Sequence, residues 1–259
     1  MIFETHAHYD DENFDNDRDL LIQELLSGKI CNIINVGASI ESTKTSIALA
    51  EKYEQVYAAA GVHPSDIDGL NEETFAWLKA CTNHKKVVAI GEIGLDYYWD
   101  KEPEVQKEQR YWFRRQMELA REVKLPVIIH SRDAAEDTMK MMKDLHAEEI
   151  PGVIHCYSYS PEMAKEFVKM GYYIGIGGVV TFKNAKKLKE TAALIPVERI
   201  LLETDSPYMA PEPHRGTRND SGKLTYVAEK IAEIRGISVE EVEEVTCRNA
   251  RKLFGKVGC

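Results

Sequence analysis

Long apolar runs are missing from this 259-residue chain: no stretch approaches the ~18 residues of a membrane span. The N-terminus has neither a basic segment nor a following apolar core, so no secretory leader is expected. Cysteine is scarce. Cys31, Cys81, Cys156, Cys247 and Cys259 are odd in number and never spaced CxxC, which argues against a disulfide framework or a thiolate zinc site and fits a reducing, cytoplasmic setting. Positive charge is in deficit, with 33 Lys and Arg against 43 Asp and Glu, for a net charge of −10. Such a balance disfavours broad electrostatic sliding on duplex DNA, although a nucleic acid held locally by metal and a few basic side chains stays open. Low-complexity tracts, short repeats and Pro/Gly/Ser linkers are absent too. No GxGxxG turn follows an early strand, which weighs against a dinucleotide-binding open sheet.

What the chain does contain is an alternation. β-rich runs cover 2–8, 31–37, 56–62, 87–93, 126–130, 152–156, 172–177 and 199–205. Helical patterns lie between them. Residues 17–29 form one. A second follows Pro103, with Phe113, Met117, Ala120 and Val123 at near-helical spacing. In a third, Ser238 and Glu241 suggest a capping box ahead of Val239, Val242, Val245, Ala250 and Leu253. Eight strand–helix units in a chain of this length predict an α/β fold, a (β/α)₈ TIM barrel, as one domain over 1–259. Runs such as VVAI and VIIH, apolar without alternation, suit strands buried on both faces.

Polar residues gather where these strands end. His6 and His8, two apart, face one side of the first strand. Glu92, His130, His155 and Asp205 each follow an apolar strand just before the chain turns. Buried imidazoles and carboxylates are unfavourable unless paired, and six aimed at one rim call for positive charge between them. Two divalent ions ~3.5–4 Å apart satisfy this set better than one. His6, His8 and Asp205 are assigned to one ion and His130 and His155 to the other, with Glu92 bridging. Glu203, two residues before Asp205, is suited to orienting a ligand histidine. His63 reads as a substrate contact, an orienting group or a turn histidine. Arg132 suits either a phosphate or a surface ion pair. The glycine-rich segment GIGGVVTFKN with Lys183 reads as a phosphate loop or as a turn needing positive φ. Tyr97, Tyr98 and Trp99 read as a base-stacking run or an ordinary loop anchor. His84, His146 and His214 are expected on the surface, and DDENFDND and EEVEEV as solvated faces.

Six stretches together resemble the TatD family of metal-dependent deoxyribonucleases, within the amidohydrolase-like barrels. They are THAHYD at 5–10, GVHP at 61–64, GEIGLDYY at 91–98, VIIHSRDA at 127–134, IHCYS at 154–158 and LLETDSPY at 201–208. The resemblance implies phosphodiester hydrolysis of DNA by a metal-activated water, with 3′→5′ polarity. It places the family's ligands on His6, His8, Glu92, His130, His155 and Asp205. Asp205 and Glu92 are the expected catalytic carboxylates, Asp205 as general base. Substrate contacts are expected at His63, Arg132, Tyr157 and Lys183. Two divalent ions per chain (Zn, Mn, Mg, Fe or Ni) are the expected cofactors. Single-stranded DNA or frayed ends are the expected partner, with no membrane and no obligate protein partner. Two other readings stand beside this one: hydrolysis of a small ester, amide or lactone, and a non-catalytic, metal-stabilised binding protein.

Overall fold

The computed structural model describes residues 1–257, so Cys259 lies outside the described residues. Strands β1 (Ile2–Ala7), β2 (Ile30–Val36), β3 (Val56–Ala60), β4 (Val87–Asp96), β5 (Val127–Arg132), β6 (Gly152–Ile154), β7 (Tyr173–Ile176) and β8 (Ile200–Leu202) pair in parallel, each with the next in sequence. The connections carry α1 (Arg18–Ser27), α2 (Ile40–Lys52), α3 (Glu72–Cys81), α4 (Pro103–Val123), α5 (Ala135–Asp144), α6 (Pro161–Lys169) and α7 (Lys186–Leu194). After β8 come α8 (Leu224–Arg235) and α9 (Val239–Leu253). The result is the (β/α)₈ barrel. Among the described residues, no helix is long and apolar enough to cross a membrane.

The eight expected runs all appear as strands, but several are shorter than their sequence suggests, β6 and β8 among them. β6 stops at Ile154 and β8 at Leu202. The reason is backbone conformation: Cys156 (φ 44°) and Asp205 (φ 60°) are left-handed, which ends extended pairing and turns the rim residues out of the strand path. β4 runs longer, and its register against β5 breaks between Ile90 and Ile93, where Glu92 sits. Gly94 (φ 147°) follows; a Cβ there would lie 1.9 Å from the His130 carbonyl oxygen, so only glycine lets β4 and β5 approach this closely.

One cluster draws a residue from every strand: Phe3, Ile34, Ala59, Val88, Ile128, Val153, Tyr173 and Leu201. Only the barrel interior can collect all eight. Ala250, Leu253, Phe254 and Val257 join it, so the end of α9 plugs the barrel at the face opposite the rim. Ser238 Oγ accepts from the Glu241 N–H (3.1 Å), the forward half of the expected capping box. The acidic runs are not purely solvated, which corrects the sequence-based expectation. Glu243 is buried and holds the N-terminal ammonium (3.1 Å) and Lys29 (3.0 Å). Asp10 accepts from Asn35 Nδ2 and Ser42 Oγ, both at 2.7 Å.

The seam between β1 and β8 is closed by groups past the end of β8. The Asp205 N–H donates to His6 O (2.9 Å) and the His8 N–H to Ser206 O (2.9 Å). Buried Glu4 staples the same seam, accepting from the N–H groups of His6 (3.1 Å) and Thr204 (3.0 Å) and from Thr204 Oγ1 (2.7 Å). Burial outweighs these hydrogen bonds and lifts the Glu4 carboxyl to about 7. A carboxyl raised on folding favours the fold while protonated. That contribution is complete below its ordinary value near 4.5 and is lost as pH rises through about 7. Glu4→Gln, neutral throughout, is therefore expected to gain on the wild type as pH rises, by up to about 3 kcal/mol above pH 8. Thermal melts of metal-free protein from pH 5 to 9 check this, and a Tm gap independent of pH would contradict it.

Candidate metal centre

The six strand-end residues converge. Glu92 is 4 % exposed and stands at the centre, its two oxygens facing different histidines. Oε2 lies 3.4 Å from His6 Nε2 and 3.8 Å from His8 Nε2. Oε1 lies 2.8 Å from His130 Nδ1, 3.7 Å from His155 Nε2 and 3.9 Å from His63 Nε2. Asp205 closes the ring, with Oδ1 at 3.8 Å from His6, 3.5 Å from His8 and 3.7 Å from His155. The buried His6, His155 and Glu92 form the floor, while His8, His63, His130 and Asp205 are partly open to solvent.

Glu92 turns its two oxygens to different histidines, but the grouping is not the one expected from the sequence. His155 does not side with His130, whose ring centre is 6.4 Å away; it stacks on His6 at 3.5 Å and stands equally near Glu92 and Asp205. It therefore spans the two halves.

Second partners aim the rings. His8 Nδ1–H donates to Val36 O (2.9 Å), which leaves Nε2 facing the cluster. Glu203 Oε1 lies 3.2 Å from His155 Nδ1, though out of hydrogen-bonding alignment, and accepts from the Cys156 N–H (2.5 Å). Glu203 thus stands behind a cluster histidine, where its spacing from Asp205 suggested. Asp96 was not foreseen. Its Oδ2 holds His130 Nε2 at 3.0 Å, so His130 turns Nδ1 towards Glu92. The signal was available: in an extended strand, Asp96 shares the Glu92 face by even spacing.

The charge balance also points to a cation. Burial alone would depress His8 and His155, yet Asp205 and Glu92 lift His8 to about 9, and Glu203 and Glu92 lift His155 to about 10. Burial would raise Glu92 and Asp205, yet the surrounding histidines hold both well below the usual carboxylate range. Without metal, protons on imidazoles neutralise the carboxylates. His6 Nε2 and His8 Nε2 nonetheless face each other at 3.1 Å, and buried His6 Nδ1, His155 Nδ1 and Glu203 Oε2 have no hydrogen-bond partner among the described residues. An imidazole and carboxylate donor set of this kind suits divalent transition metals.

The remaining expected site residues fall differently. His63 Nδ1 accepts from the Ser65 N–H (3.1 Å), and burial with the nearby His130 lowers the ring to about 4. A neutral ring accepting at Nδ1 carries its proton at Nε2, so His63 presents a donor, not a lone pair, to the cluster. Among the described residues Arg132 makes neither the expected surface ion pair nor a free fork: its guanidinium lies over the Tyr98 ring, 3.9 Å from the centre. Tyr157 is buried and its hydroxyl donates to Ser160 O (2.5 Å), away from the cluster. Lys183 is exposed, ahead of the start of α7 at Lys186. The glycines before it do not have positive φ. A Cβ at Gly175 would stand 2.3 Å from Glu203 Oε2, so close packing explains that glycine. Beside the cluster, Tyr157, Gly178, Val179, Glu203, Asp205 and Met209 enclose a mainly apolar cavity of about 100 Å³. His84, His146 and His214 lie away from the rim; His84 pairs with Glu51 and His214 packs on Tyr226.

A family model described as TatD related DNase matches residues 3–255. The uncharacterized metal-dependent hydrolase YabD of Bacillus subtilis is 46 % identical over 255 residues, covering 98 % of this chain and 99 % of the relative. The 3′-5′ ssDNA/RNA exonuclease TatD of Cronobacter sakazakii is 34 % identical over 262 residues, covering 98 % of both. Among solved structures, the TatD homologue YjjV of Escherichia coli K12 superposes with a TM-score of 0.91 at 31 % identity, again covering 98 % of both chains.

Coordination requires deprotonated imidazole, so metal and protons compete at His8 and His155. At pH 8, below about 9 and about 10, both rings are protonated in the metal-free protein. Metal uptake is expected to release about two protons per chain and to tighten as pH rises. Calorimetric titration of Zn²⁺ or Mn²⁺ in two buffers of different ionisation enthalpy measures this; equal heats in both would rule it out.

Proposed function

The chain belongs to the TatD-related DNase family of metal-dependent hydrolases, and from that premise we propose that it removes nucleotides from the 3′ ends of single-stranded or frayed DNA, with two divalent ions per chain. One observation carries the reading above all: a central carboxylate whose two oxygens face separate sets of histidines, with Asp205 across the mouth. His6, His8 and Asp205 would hold one ion and His130 the other, with Glu92 and His155, which stand between the two halves, available to both. When bound, such ions supply positive charge that acidifies water and offsets charge on the phosphoryl oxygens.

The protein's own groups do the rest. Asp205, ionised and partly open to solvent, accepts the proton of the attacking water. His63 donates its Nε2–H to a phosphoryl oxygen, and stays neutral because its pKa lies near 4. Asp96 and Glu203 hold His130 and His155 in place, so that little reorganisation is needed on substrate binding. The nuclease named in Cronobacter supports the substrate class, acting on single-stranded DNA and RNA by its printed name.

After chelation, restoring one divalent metal at a time is expected to return stepwise trimming of 3′ ends, faster on single strands than on duplex. An ester and lactone panel run in parallel separates the rivals. Ester hydrolysis without nuclease activity would replace the reading by a small-substrate hydrolase. Bound metal with no hydrolysis of either class would replace it by a binding protein. Asp205→Asn is expected to lose at least about 100-fold in kcat with the fold retained by circular dichroism; cleavage at the wild-type rate would remove Asp205 from the chemistry.

A further inference from the structure

Among the described residues, few large rings are as open to solvent as Tyr98 and Trp99, 43 % and 66 % exposed, in the loop that leaves β4. Exposed aromatic surface of this size gains nothing for the fold. Anchoring the loop is the work of a different residue: Tyr97 donates its hydroxyl to Asp137 Oδ2 (2.7 Å) and accepts from Arg110 (2.9 Å). Trp99 anchors nothing comparable.

The loop is nevertheless rigidly held. Asp96 Oδ1 accepts from the N–H groups of Tyr98 (2.9 Å) and Trp99 (3.0 Å). At the other end, Asp100 Oδ2 accepts from Ser65 Oγ and Gln109 Nε2, both at 2.8 Å, and Gln106 Nε2 donates to Asp100 O (3.0 Å). The two rings meet edge to face at 4.8 Å, and Arg132 lies over Tyr98 at 3.9 Å and near Trp99 at 5.5 Å. These rings are held in the open rather than left loose there.

Their position ties them to the metal centre. The carboxylate of Asp96 that fixes the Tyr98 and Trp99 backbone with one oxygen holds His130 with the other (3.0 Å). Arg132 lies two residues beyond His130 on β5. A phosphodiester at the cluster would therefore carry its neighbouring base towards this ledge.

We propose that Trp99, with Tyr98 and Arg132 beneath it, is a stacking ledge for an unpaired nucleobase of the strand being cut. This rests on the nuclease reading above and adds to it the feature that selects single strands, because only a base freed from its partner can lie flat on an indole. Stacking needs a π-face and no particular base, so the ledge serves every nucleotide. The guanidinium beneath it adds cation–π attraction and draws the adjacent phosphate into a chain that is acidic overall.

Two measurements test this separately from the nuclease reading. In chelator, where no cleavage occurs, a short oligothymidine is expected to quench tryptophan fluorescence. The same backbone with abasic residues should not, and Trp99→Ala should abolish the quench. In the metal-loaded enzyme, Trp99→Ala is expected to lower the ratio of kcat/KM on the intact strand to that on the abasic-ended strand about tenfold, through KM, with Trp99→Phe restoring most of it. Equal quenching by both strands, no quenching at all, or an unchanged ratio in Trp99→Ala would overturn the ledge. Quenching as expected from a protein that cuts no DNA would leave the ledge standing and overturn the nuclease reading instead.

Discussion

The rim is organised around a single buried carboxylate. Glu92 lies within 4 Å of imidazole nitrogens from His6, His8, His63, His130 and His155, delivered by β1, β3, β5 and β6 or the turns that follow them. A buried carboxylate without a counter-charge is strongly unfavourable, and five imidazoles around it are equally awkward if all are neutral or all protonated. The site is stable only with positive charge shared through its middle. Protons provide it in the metal-free protein; divalent ions are the alternative that leaves the imidazoles neutral and the carboxylates ionised.

A second layer of carboxylates repeats this logic one step further out. Asp96 stands behind His130, Glu203 behind His155, and Glu4 behind the backbone that links His6 to Thr204. Each fixes something the inner layer needs: a ring orientation, a position, or the closure of the barrel. The bare Cα of Gly175 is part of the same construction, since any side chain there would occupy the Glu203 carboxylate. The rim is thus a nested set of acids and bases whose outer members determine where the inner ones point.

Much of this was readable along the chain, for a definite reason. Apolar runs of four or five residues ending in a polar one mark where barrel strands emerge, and strand periodicity put His6 and His8 on one side. Where the reading fell short, the cause was local geometry that one-dimensional spacing does not carry. The three readings of His63 could not be separated, because the Ser65 N–H that sets its tautomer is a fact of the turn. The glycine-rich segment read as a phosphate loop or a turn needing positive φ; Gly175 instead makes room for the Glu203 carboxylate and Gly178 for the backbone at Met209. The Tyr157 hydroxyl shared a motif with the site but not its direction.

By itself, the sequence determined the eight-fold alternation, the barrel it closes into, and the six residues that meet at its mouth. Those follow from periodicity and burial, which act between near neighbours along the chain. Only the tertiary structure decided which oxygen of Glu92 faces which histidine, that His155 stacks on His6 and spans the two halves rather than pairing with His130, and that Tyr98 and Trp99 stand in solvent while Tyr97 holds the loop. These depend on distances between strands far apart in sequence and on left-handed turns at Cys156 and Asp205, and a linear pattern contains neither.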